Sequence, residues 1–152
     1  MKIISRDRSA SLSIVVRELG LDRSIRCSIA LVSNGFSASN RLAWLSREAV
    51  ESFSTKIRIL EVTRSGEASL CAMSPDDFSM SFAAIDLSGH ICCCISISRR
   101  IPDFGRWLTQ RMSAEFMIDP SILPSICRVV ESELLTSTIS KNSKKNAGII
   151  AG

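Results

Sequence analysis

The chain's only histidine, His90, is followed at positions 92, 93 and 94 by three consecutive cysteines, in the stretch "DLSGHICCCISIS". An imidazole with two thiolates is a zinc-like set, and a thiol beside an imidazole is the starting point of a cysteine nucleophile. Strand geometry argues against both. A β-strand rises about 3.3 Å per residue, so His90 and Cys94 on one strand stand about 13 Å apart and cannot share an ion. An i, i+2 pair in mid-strand also has neither an oxyanion hole nor a helix N-terminus to lower the thiol pKa. A disulfide between neighbouring cysteines would distort the strand. The simpler reading is a strand filled with small, soft side chains. No metal, cofactor or catalytic residue is expected, and the protein is read as a non-enzyme.

The elements around this stretch follow from apolar periodicity. "LSIVVREL" and "IRCSIALVS" alternate as strands, with Gly20 and Asp22 turning the chain between them, and "NGFSASN" reads as a loop. Ser46 is placed to cap a helix with Glu48 in its first turn, and Val50, Phe53, Ile57 and Leu60 fall at helical spacing up to an end near Gly66. "EASLCAM" and "DFSMSFAAID" are strands separated by a turn at Pro75. A loop holding Pro102 leads to a strand through "RWLTQRMSAEFMID". Asp119 then caps a second helix that opens with Pro120. The fold class expected is α+β: a single curved antiparallel sheet of about six strands, with two helices packed on one face.

Within that sheet the turn "DLSG" predicts the register. Phe82 faces Cys93, Met80 faces Ile95 and Phe78 faces Ile97, whereas a one-residue slip would mix apolar and polar faces. Cys93 is then a core residue. Ser79, Ser81, His90, Cys92, Cys94 and Ser96 share the opposite face, rimmed by Arg26 and Glu115 on neighbouring strands. These eight are the candidate partner-binding residues, because small side chains leave a flat surface that another protein can approach closely. An ordinary solvated sheet face has the same pattern.

Composition narrows the function classes. With 152 residues, 45% hydrophobic and 22% charged, the chain suits one domain over residues 1–140, followed by a flexible basic tail at 141–152 that holds Lys141, Lys144 and Lys145. No run of about 18 apolar residues is present, and Arg6, Asp7 and Arg8 interrupt the place where a signal peptide would be apolar. No membrane association and a cytoplasmic location with reduced thiols are the expectation. The net charge of +4 is scattered, aromatics make up 5% and tyrosine is absent, so nucleic-acid binding is not expected.

Laid out this way, the chain resembles the WapI-type immunity proteins, which protect bacteria from polymorphic and contact-dependent toxins. The resemblance rests on "NGFSASNRLAWL", "VESFSTKIRIL", "GEASLCA", "SGHICCCISI" and "AEFMIDPSILPSICRVVESEL", covering about residues 12 to 137. It implies a small binding protein that neutralises a cognate toxin by direct contact, and it carries over no catalytic residue. Two other classes stay open at this stage: a small-ligand or zinc-binding domain using the His90, Cys92 and Cys94 face, and a subunit of an intracellular complex.

Overall fold

Alternating apolar residues build a first sheet from the N-terminal part of the chain. In the computed structural model, which describes residues 1–135, β1 (Lys2–Ile4), β2 (Ala10–Leu19), β3 (Ile25–Ser33) and β4 (Phe36–Leu45) pair antiparallel in that order. Ile3, Leu12 and Leu31 stand in register on the inner face, beside the pair Ile14 and Ile29. The β3–β4 ladder is broken once: Cys27 faces Ala43, but Ile29 faces Asn40, so β4 carries an extra residue there. Such a bulge bends the strand and increases its twist.

Helix α1 (Arg47–Thr63) follows. Its first turn is closed by Ser46, whose Oγ accepts from the Ala49 N–H at 3.1 Å, and Val50, Phe53, Ile57 and Leu60 are buried at the expected spacing. The helix ends near Gly66 as expected, with the cap two residues before the glycine. Arg64 takes the left-handed cap at φ 53° and donates its N–H to the Leu60 carbonyl.

The second sheet is β5 (Glu67–Cys71), β6 (Phe78–Ala84), β7 (Ile91–Asp103) and β8 (Arg106–Ile118), again antiparallel in chain order. Its register has Phe82 opposite Cys93, Met80 opposite Ile95 and Phe78 opposite Ile97, as the turn and the alternation require. Asp119 caps the next turn by accepting from the Ser121 N–H at 2.9 Å. The chain then runs through α2 (Leu123–Val129) and a final wide turn at Val130–Leu135, burying Leu123, Ile126, Cys127, Val130 and Leu134.

One continuous core joins both sheets and both helices, with the Phe53 and Phe82 rings 6.1 Å apart across the boundary between α1 and β6. Phe53, Ile57, Phe82, Ile95, Phe116 and Ile126 all belong to it. The expected single sheet of about six strands is therefore corrected to two sheets of four. Alternation shows which face of a strand is apolar but not which edge it pairs with, and here α1 separates two antiparallel meanders whose apolar faces share one core. Two further segments differ from expectation. "NGFSASN" is a tight turn at Asn34 and Gly35 followed directly by β4, and the Pro102 region is strand rather than loop. The basic tail at 141–152 lies outside the described residues. Among those described, no helix is long and apolar enough to cross a membrane.

Candidate functional site

The outer face of the second sheet is built from register rows of small residues. Ser69, Ser81, Cys94 and Glu115 stand side by side across β5 to β8; Cys71, Ser79, Ser96 and Ser113 form the next row. Ala83, Cys92 and Met117 continue the pattern on the other side. Ser79, Ser81, Cys92, Cys94 and Ser96 are half-buried by one another, Glu115 is exposed at the β8 edge, and the Ser113 and Ser96 hydroxyls lie 3.4 Å apart. The result is a flat surface whose tallest groups are at its margin.

His90 stands at the end of this face, in the turn before β7. Its Nδ1 is 2.6 Å from Asp86 Oδ2, and Asp86 Oδ1 accepts from the backbone N–H groups of Ser88 and His90 at 2.9 and 3.2 Å. These bonds, the His90 contact first, hold the Asp86 carboxyl below its ordinary range. Gly89, at φ 83°, lets the turn close. The imidazole is engaged in shaping the turn, with Ile85 donating its N–H to the His90 carbonyl at 3.0 Å.

Arg26 is a correction. It lies on β3, opposite Glu18 and Trp44, with Nε 2.9 Å from Glu18 Oε2 and a further donation to the Arg41 carbonyl. It therefore faces solvent from the first sheet and does not rim the serine and cysteine face. The error follows directly from the single-sheet expectation, which made β3 a neighbour of the later strands.

Burial disfavours the thiolate at Cys94 and Cys93. Burial raises the Cys94 pKa to about 11, helped by the neighbouring Cys92 and by Glu115, while Ser81 acts weakly in the other direction. Cys93, inside the core, is pushed well above the usual thiol range by burial, and Cys27 on the first sheet is raised to about 12 for the same reason. A reactive cysteine needs the opposite shift. Among the described residues, no group of three or more His, Cys, Asp or Glu side chains is arranged to hold a metal ion.

Two features went unread in the sequence. The first is an arm: β6 ends opposite Ile97, yet the β7–β8 ladder continues from Ser98 and Arg111 to Asp103 and Arg106, six further residue pairs that reach about 17 to 20 Å. At its apex Phe104 and Gly105 both have positive φ, the two-residue turn that matches strand twist. Phe104 is 101% exposed, Trp107 66% and Leu108 49%. The available signal was "DFGR", a glycine in a two-residue turn between strand-like segments, but Pro102 reads as a breaker. The second is Asn40, a buried polar residue whose bonds hold the base of the arm.

Comparison with known proteins returned no match: no family model fits the sequence, no curated protein aligns with it, and no solved structure shares its fold at a significant level.

Proposed function

We propose that the protein is a binding domain that engages a partner protein through the outer face of its second sheet, and that this partner is a bacterial toxin neutralised by direct contact. The supporting observation is the run of aligned small side chains from Ser69 to Cys94 and from Cys71 to Ser113, which lets a partner's surface lie flat against the strands. The toxin as partner rests on the resemblance to WapI-type immunity proteins. Cytoplasmic placement and a non-catalytic role belong to the same proposal.

A pull-down from the native cell with wild-type protein and with Ser81→Arg tests the reading. Ser81 is central in the face and only half-buried, so the arginine obstructs docking without entering the core. The expected result is a protein retained by the wild type, lost with the variant, and harmful to cells when produced alone. A partner retained equally by both would show that the face is solvated surface and the binding site lies elsewhere.

A further inference from the structure

The flat face is too small to be a whole interface. Four strands about 4.8 Å apart and three rows about 6.8 Å apart span roughly 400 Å² in plan, against about 800 Å² per partner in a stable complex. The same sheet supplies the remainder through its arm. The β7–β8 register runs without a break past the buried Ser98, and Arg100 and Trp107 fall at register positions of the same parity as Cys94 and Ser96.

The chemistry of the arm is layered along its length. Toward the tip, Ile101, Pro102, Trp107 and Leu108 form two apolar pairs below the exposed Phe104. Behind them stand Arg99, Arg100 and Arg111, the last 3.6 Å from Asp76. The arm holds four arginines against the single Asp103, whereas the rest of the described chain has more carboxylates than basic groups. Tryptophan and arginine are the residue types that concentrate binding energy at protein interfaces.

Phe104 adds a separate observation. An apex with two positive φ angles favours asparagine or glycine, and a bulky side chain there is strained. The backbone gains nothing from an aromatic ring held fully in solvent at that position, and backbone outliers of this kind gather at functional sites.

We propose that the arm inserts into a cleft of the partner protein that is apolar at its floor and lined with carboxylates at its mouth. This rests on the protein-binding reading above and extends it from a flat contact to an inserted one. A bilayer fits less well. Beyond Ser98 the sheet pairs β7 with β8 alone, so the outer strand edges would be left open in hydrocarbon. Nucleic acid fits less well too, because most of the tip is aliphatic or aromatic and Asp103 would face phosphate.

The test uses the full chain with a photo-crosslinking phenylalanine analogue at position 104, and at the exposed Leu87 as a control, irradiated in the cells that make the protein. The protein captured at 104 but not at 87 is then purified and its affinity measured. Phe104→Asn, which suits the turn, and Arg99→Glu with Arg100→Glu should each weaken binding about tenfold or more, and raising salt from about 0.05 to 0.5 M should weaken the wild type. Sedimentation with vesicles of 70:30 phosphatidylcholine and phosphatidylglycerol, and a gel shift with a 20-base-pair duplex, complete the experiment. Unchanged affinity in both variants, binding to the vesicles or duplex that these variants abolish, or no protein adduct at position 104 would each overturn the inserted arm. A partner that is lost with Ser81→Arg but is indifferent to the arm variants removes this inference and leaves the flat-face reading standing. No partner by either route removes both.

Discussion

Asn40 and Ser98 are 58 residues apart in sequence and belong to different sheets, yet Asn40 Nδ2 donates to the Ser98 carbonyl at 3.0 Å. The same amide's Oδ1 accepts from the Leu42 N–H at 2.8 Å and so closes the bulge in β4. Ser98 is held from the other side as well: its N–H donates to the Asp77 carbonyl at 3.2 Å and its hydroxyl to the Asp76 carbonyl. Regular alternation in β7 stops here, with Ile97 and Ser98 both buried. One serine therefore marks where the strand leaves the body and becomes the arm.

Asn40→Leu should destabilise the fold by about 1–3 kcal/mol, since it leaves the Leu42 N–H and the Ser98 carbonyl without their partner at a mostly buried site. Urea unfolding measures this. A midpoint equal to the wild type's would mean that water replaces both bonds and that the two sheets do not depend on the amide.

Phe82→Ala removes a ring that is fully buried against Phe53 and should cost about 3–5 kcal/mol, a large share of the stability of a small domain. Phe116→Ala lies at the rim of the same core, 8% exposed, and belongs at the lower end of that range. Thermal melts of the two variants should rank them in this order; the reverse order would place the centre of the core nearer β8.

Stability should fall as the solution becomes alkaline. Burial raises Cys27 to about 12 and Cys93 further, whereas an unfolded thiol ionises near 9. A folded-state pKa above the unfolded value gives stability that is complete below about pH 9 and is lost progressively as pH rises from there toward 12. Tyrosine is absent from the chain, so no phenol ionises in this window. Melting temperatures between pH 7 and 11 should decline for the wild type and more shallowly for Cys27→Ala with Cys93→Ala. Parallel decline in both proteins would assign the alkaline limb to other groups.

Phe104→Asn should leave the fold intact and raise its stability by about 0.5–1 kcal/mol, because asparagine tolerates the left-handed backbone that phenylalanine enters at a cost. Chemical denaturation decides this. A loss of stability would show that the aromatic ring packs on the arm and is not held in solvent for another surface.

Much of the local structure was legible from residue order alone. Helix α1 was legible because Ser46 can cap it and its apolar residues recur every three or four positions; the β6–β7 register was legible because any slip would expose Phe82 and Ile95. The face shared by Ser79, Ser81, Cys92, Cys94 and Ser96 follows from that register, since side chains alternate strictly along a strand. Tertiary structure alone decided how the strands divide. Arg26 left the expected face because pairing partners are chosen by edges and by the path of α1, and alternation carries no information about either. It also decided that 99–110 is an arm: the second half was legible as strand, but around Pro102 both faces of the hairpin meet solvent, so the sequence there lacks the inside-outside pattern that marks a strand. Asn40 shows the same limit most plainly: as a single polar letter in "SASNRLAW" it reads as a loop residue, and only the meeting of β4 with β7 turns it into the link between two sheets.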